Sequence, residues 1–447
     1  MESMLDRRTL LAAVAGTGVA GFATYTLLSP EAEPARPSVQ QLPGAIEADT
    51  VRRSFGVNTH LTRTSSPYAA TPAAGGAVVE LMDRLGAAYW RERAAVEDPL
   101  QTRAAQDLAS IGCRQVATIG ALGDSVEVVS STVRQLAESY GADVRAVVAA
   151  VAGANEPNAS GGDWVAGSLL HQQAVFEQTR SLPSLDDAFV LASGLKGDLS
   201  GAVAAMRALA ETSYEKWADV GNIHHYTAGQ VPTLGLDDRL AAAAAVVGDK
   251  PVWCTEIGYV DWLGHGPGNP VPPDVYAAYM PRALIEMVRR GVPAMIKYEL
   301  LDDLDRADTW EGHFGLVYCP SNDPELWEEK PAFATLRRLL QMTGDEGPAF
   351  SPRPLPGMVT GDVSSMVLAK RNGSYVVLLW RDVSLYDVTA EESTPVAPIT
   401  ATLTLPSRRP LAWSAMNSAS TSRPVLGAEI RVPVAGDVVA VTVGPNR

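Results

Sequence analysis

Along residues 54 to 300, short apolar runs recur at intervals of about 27 to 43 residues, and Ala- and Leu-rich stretches of helical period fill the gaps. The runs cover 55–58, 88–91, 115–118, 148–152, 189–192, 222–224, 251–254 and 294–297. Each is too short for a helix and is bounded by polar or turn-forming residues, so each reads as a strand. The intervening period predicts helices that include 79–85, 126–140, 169–180, 201–212, 236–247 and 275–290. Alternating β and α at this spacing calls for a parallel sheet of the α/β class. Eight repeats are what a closed (β/α)8 TIM barrel needs, here over residues 51–345. A doubly wound open sheet is the alternative with the same alternation.

After about residue 350 the period changes to two, as in Ile399-Thr-Ala-Thr-Leu-Thr-Leu405. Such alternation marks half-buried antiparallel strands. Asn372-Gly373, between two apolar runs, supplies the positive φ angles of a tight hairpin. A small antiparallel β-sandwich domain is therefore expected over 350–447.

The N-terminus has neither pattern. In residues 1–30, Arg7-Arg8 precedes about twenty mildly apolar residues, which resembles a twin-arginine export signal. Export to the cell envelope or beyond is expected, with both a cleaved signal and a retained membrane anchor open. Gly16-x-Gly18-x-x-Gly21 matches a dinucleotide fingerprint but lacks the strand that must precede it. Residues 31–50 are Pro- and Ala-rich without period, the composition of a linker.

Charge narrows the partners. Thirty-six Lys and Arg against 51 Asp and Glu leave a formal charge of −15, which repels nucleic acid and anionic lipid surfaces. The same balance suits a neutral or cationic ligand, unless local charge at the site overrides it. Three cysteines, Cys113, Cys254 and Cys319, are too few for a disulfide framework, so the core must carry stability. Oligomeric state is left open.

Two carboxylates stand at predicted strand ends in polar company: Gly153-Ala-Asn155-Glu156-Pro157-Asn158 after the fourth strand, and Cys254-Thr-Glu256-Ile-Gly258 on the seventh. Barrel chemistry is assembled where strands emerge at their C-terminal ends, so the two would face each other across the mouth. Such a pair is the equipment for glycosidic cleavage, one carboxyl protonating the leaving oxygen and the other attacking or stabilising the sugar carbon.

These segments resemble glycoside hydrolase clan A, the retaining (β/α)8-barrel glycosidases, most closely the β-xylosidase and α-iduronidase family with its trailing β-domain. The resemblance spans about residues 54 to 345 and rests chiefly on Asn155-Glu156-Pro157. It implies that Glu156 is the acid/base, that Asn155 contacts the sugar 2-hydroxyl, and that Glu256 is the nucleophile. A retaining mechanism then requires carboxyl groups about 5 to 5.5 Å apart. His224-His225-Tyr226 resembles the clan's His-x-Tyr; alternation along a strand turns His224 and Tyr226 inward and His225 outward. Tyr226 would then hydrogen-bond Glu256. Arg91 occupies the place of an arginine that supports the nucleophile, with Arg93 on the same face, while Asn58 and His60 could line the floor.

Where clan members often end the eighth strand with a tryptophan, this chain has Lys297-Tyr298-Glu299. Tyr298, Trp164, Trp262 and Trp310 are the candidate platforms for a sugar face. The segment 264–270 is an expected loop over the mouth. Cys254, two residues before Glu256, is expected to pack inside the barrel.

No cofactor or metal is expected. The chain lacks a P-loop, G-x-S-x-G, H-E-x-x-H and C-x-x-C, and the acidic run 302–308 lacks the glycine of a calcium loop. The expectation is an exported retaining glycosidase with a carbohydrate substrate. A non-catalytic carbohydrate-binding protein on the same barrel and a transglycosylase are the alternatives.

Overall fold

The computed structural model describes residues 38–61, 67–68, 72–94, 98–262, 264, 268–418 and 420–445. The expected export signal and the start of the linker lie outside them, as do residues 265–267 of the expected 264–270 loop. Among the described residues, no helix is long and apolar enough to cross a membrane.

Eight parallel strands form the centre: β1 (Phe55–Asn58), β2 (Tyr89–Arg93), β3 (Arg114–Thr118), β4 (Val148–Ala152), β5 (Phe189–Leu191), β6 (Gly221–His225), β7 (Val252–Ile257) and β8 (Met295–Lys297). Their hydrogen-bonded order runs from β5 back through β1 to β8, β7 and β6. A parallel bridge from Leu191 to Val220 joins β5 to the start of β6, so the sheet is a near-closed barrel and not an open one. Helices α1 (Pro72–Leu85), α2 (Pro99–Ser110), α3 (Val126–Tyr140), α4 (Trp164–Ser181), α5 (Leu199–Ala210), α6 (Leu236–Val247), α7 (Pro273–Arg289) and α8 (Pro331–Thr343) follow the strands. Ser125, Asp163 and Asp198 start α3, α4 and α5 by accepting hydrogen bonds from first-turn backbone amides that would otherwise lack partners.

Inside the barrel, Val116, Ala150, Leu191, Val220, Ala294 and Ile296 form one apolar cluster with Trp253. Gly56 makes room for Tyr89, since a Cβ there would lie 2.7 Å from the Cβ of Tyr89. Higher up the interior turns polar: Thr255 Oγ1 donates to Asn222 Oδ1 at 2.8 Å, and Asn58 Nδ2 donates to the Thr255 carbonyl at 3.0 Å.

The β-domain is built on β9 (Met358–Thr360), β10 (Ser364–Ala369), β11 (Tyr375–Trp380), β12 (Ile399–Ala415), β13 (Val425–Val434) and β14 (Val439–Val443). Asn372-Gly373 lies in the turn from β10 to β11, but only Gly373 takes a positive φ, 78°; Lys370 and Ser374 pair across a three-residue loop, where the expectation was a tight turn with both angles positive. Val367, Val377, Leu403, Val432 and Val441 share one core, while Leu368, Val376, Leu378 and Ala440 join the barrel's core instead. Every residue of β11 is therefore buried.

One expectation is corrected here. The segment expected to be an unstructured linker up to residue 50 supplies both edges of this sheet. Val39–Gln41 pairs antiparallel with β9, and Ala45–Glu47 pairs parallel with β10. Both strands are three residues long, and Val39–Gln41 is exposed throughout, so no hydrophobic alternation announces them. Their order comes from backbone pairing with residues more than 300 positions away.

The β-domain buttresses α7. Trp380 Nε1 donates to Glu286 Oε1 at 2.7 Å, and Arg282 Nη2 lies 3.1 Å from Asp382 Oδ1. From Val275 to Val288, α7 is buried on all sides, as a helix held between two layers must be.

Candidate active site

The C-terminal ends of the strands surround a cavity of about 1210 Å³. From β2, Arg91, Glu92 and Arg93 all line it. The buried Arg91 joins three elements. Its Nη1 donates to Glu256 Oε1 on β7 at 2.7 Å and to Asn58 Oδ1 on β1 at 2.9 Å, and its Nη2 donates to Asn155 Oδ1 beyond β4 at 2.6 Å.

Glu256 takes Arg91 on one oxygen and the hydroxyl of Tyr226 on the other, at 2.8 Å. Burial alone would raise its pKa. The charges of His224 and Arg91, with hydrogen bonds from Tyr226 and Arg91, outweigh burial and hold it below the ordinary 4.5. Burial and the charge of Glu256 push Tyr226 well above the usual phenol range, so it stays a donor.

Glu156 follows β4 in a left-handed conformation, φ 47° and ψ 50°, rare for a residue with a side chain and of a kind that clusters at functional sites. Its amide donates to the Gly194 carbonyl at 3.0 Å. His224 Nδ1 lies 3.1 Å from Glu156 Oε1 and 3.5 Å from Glu256 Oε2, between the two carboxylates. Gly194 permits this: a Cβ there would sit 2.0 Å from His224 Nε2. His225 points away, its Nε2 donating to the Pro232 carbonyl at 2.7 Å, and burial lowers its pKa to about 4. Glu156, His224 and Glu256 have ligand atoms within 4.8 Å of one another, which is also metal-ligand spacing. Both oxygens of Glu256 already hold hydrogen bonds.

Tyr298 and Trp310 line the cavity. The Tyr298 hydroxyl is 3.2 Å from His60 Nε2, which is 3.1 Å from Oε2 of the fully buried Glu299. The two other candidate platforms lie elsewhere. Trp164 opens α4 and packs against the core, outside the cavity lining. Trp262 stacks on His313, with ring centroids 5.9 Å apart, outside the cavity lining.

Cys254 is also corrected. It packs on the helix side of the barrel, while Trp253 faces inside. The pairing of β7 slips a residue between Cys254 and Glu256: Ile223 pairs with Cys254, but His224 pairs with Glu256. That bulge breaks simple alternation and turns Glu256 into the mouth.

Sequence reasoning missed several residues here. Glu92, buried beside Arg91, accepts from the Leu61 amide at 2.6 Å and from Thr59 Oγ1 at 3.1 Å, ordering the loop after β1. Arg239 of α6 donates to the His224 carbonyl at 2.8 Å. Phe314 lies edge-on to both Tyr226 and Tyr298. Lys297 is fully buried, its Nζ donating to the carbonyls of Phe314 and Tyr298, and burial drives its pKa well down. Only Lys297 carried a usable signal, as a charged residue inside the predicted strand 294–297.

The sequence matches no protein-family model and no curated protein. Solved structures do resemble it. A glucosidase from Croceicoccus marinus aligns over 83% of this chain and 92% of its own at a TM-score of 0.57 and 12% identity. A GH51 arabinofuranosidase from Xanthomonas axonopodis pv. citri aligns over 91% of this chain and 100% of its own, with TM-score 0.56 and 13% identity. An α-L-arabinofuranosidase from Thermotoga maritima aligns over 91% and 99%, at 0.54 and 11%. This chain shares their fold. At such identities the likeness extends to the barrel with its trailing β-domain, and the chemistry must be argued from the residues in the mouth.

Proposed function

We propose that the chain is an exported retaining glycoside hydrolase acting on O-glycosidic bonds. The observation that carries this is the carboxylate pair. An oxygen of Glu156 lies within 4.8 Å of an oxygen of Glu256, near the roughly 5 to 5.5 Å of retaining enzymes and short of the roughly 6.5 to 9.5 Å that leaves room for water in inverting ones. Glu256, held ionised by Arg91 and Tyr226, attacks the anomeric carbon while Glu156 gives its proton to the departing glycosidic oxygen. Glu156, now a base, takes a proton from water, which displaces Glu256 and releases the sugar. Asn155, fixed through its Oδ1 by Arg91, offers its amide hydrogens to the sugar, and Tyr298 and Trp310 supply apolar ring surface.

The test is a panel of aryl glycosides that includes glucosides and arabinofuranosides, the sugars that the structural neighbours' names carry. Glu156→Gln should cut turnover by about 10² to 10⁴-fold on glycosides with poor leaving groups. Activated nitrophenyl glycosides, which leave without a proton, should lose far less. Equal loss on both classes contradicts the acid role. Export is carried by Arg7-Arg8 and the apolar stretch behind them. Retention of an Arg7→Lys, Arg8→Lys variant in the cytoplasm, with the parent outside it, checks this.

A further inference from the structure

The formal charge of −15 argues for a neutral or cationic ligand, but the cavity wall differs from the surface average. Most of its cations are already engaged. Arg91 is held by Glu256, Arg239 by the carbonyls of His224 and Gly197, and Arg306 by Glu311. Among the described residues, the guanidinium of Arg93 and the ammonium of Lys196 line the cavity with no hydrogen-bond or ion-pair partner.

Their placement is ordered. Asn158, two residues beyond Glu156, donates from Nδ2 to the Lys196 carbonyl at 2.7 Å and accepts from the Lys196 amide at 3.0 Å. This double clamp, with the Glu156 amide on Gly194, ties the loop bearing Lys196 to the loop bearing Glu156. On the other side, Arg93 pairs in register with Thr118, Thr118 with Ala152, and Ala152 with Leu191. The two cations thus rise from β2 and from the loop after β5, with β4 and Glu156 between them. Three strand spacings of about 4.8 Å put their strands roughly 14 Å apart, a span of two or three sugar units. Both side chains are exposed at the cavity, so each draws an anion through its unpaired charge, an attraction that salt screens.

We propose that Lys196 and Arg93 each recognise an anionic substituent, a carboxylate or a sulfate, on separate sugars near the cleaved bond, on the Glu156 or leaving-group side. This rests on the glycosidase reading of the same cavity. The substrate is then an acidic glycan, selected by two local cations against the field of an acidic protein.

The experiment uses the full chain carrying Glu156→Gln to suppress turnover, applied to an array of neutral, uronate-bearing and sulfated oligosaccharides. The expected result is that the bound glycans are predominantly anionic. Adding Lys196→Gln and Arg93→Gln should weaken that binding at least tenfold, as should raising salt from 50 to 500 mM. Comparing the uronate and sulfate arms identifies the anion. Binding confined to neutral glycans, binding unaffected by either substitution or by salt, or no binding to any glycan overturns the proposal. Hydrolysis of neutral glycans with no acidic preference overturns it while leaving the hydrolase standing. Lysine-dependent binding of acidic glycans by a parent chain that cleaves none of them keeps it and overturns the hydrolase.

Discussion

The two ends of the same eight strands are built to different rules. At the N-terminal end Tyr89, Phe189 and Trp253 close the barrel ring against ring, with centroids 5.3 and 5.8 Å apart. At the C-terminal end the same β2 and β7, two or three residues further on, bury Arg91 against Glu256 in a mouth that also holds Glu156, His224 and Tyr226. Aromatic packing is an economical way to gain stability, whereas a buried ion pair seldom repays its desolvation. Buried charge gathered in the mouth therefore points to chemistry there, and ring packing at the other end points to support.

Substitutions at each end should separate these roles. The largest effect is expected for Glu256→Gln, which removes the carboxylate proposed to attack and should lower kcat/KM at least about 10⁴-fold in protein that still folds. Trp253→Ala should do the reverse. Loss of a large side chain that is 3% exposed should cost about 3 to 5 kcal/mol in denaturant unfolding, while the folded fraction keeps a kcat within about threefold of the parent. A Trp253→Ala protein that is stable but inactive would break the comparison.

A smaller effect sharpens it. Tyr226→Phe removes one hydrogen bond to a charged acceptor, worth about 1.5 to 3 kcal/mol, so kcat/KM should fall about 10- to 100-fold. The pH profile should move as well. In the proposed mechanism Glu256 must be ionised to attack, and its pKa is held below 4.5, so the parent's kcat/KM should decline only as pH falls below 4.5. Without the Tyr226 hydroxyl that pKa rises, and the acidic limb should shift to higher pH. An unmoved limb would assign Tyr226 a packing role alone.

The sequence pattern predicted the barrel because its strands are short, apolar and regularly spaced, and because both acidic motifs stand where strands end. It also placed His224 and Tyr226 on one face, since β6 keeps its alternation through that point. Cys254 was misplaced because one bulge in β7 reverses which residues point inward, and a bulge has no composition of its own here. The strands Val39–Gln41 and Ala45–Glu47 were hidden because their partners lie at the far end of the chain. Trp164 and Trp262 were chosen by proximity to strand ends, but loop direction, set by tertiary contacts, decides which rings reach the cavity. Lys196 had no signal at all: its importance comes from the Asn158 clamp and from what its neighbours have already engaged.

The most direct measurement concerns the anomeric carbon itself. Proton NMR of the first sugar released from a cleaved glycoside, recorded before mutarotation, should show the anomer of the substrate, because the two successive displacements proposed here, by Glu256 and then by water, would restore the original configuration. Release of the opposite anomer would contradict the account.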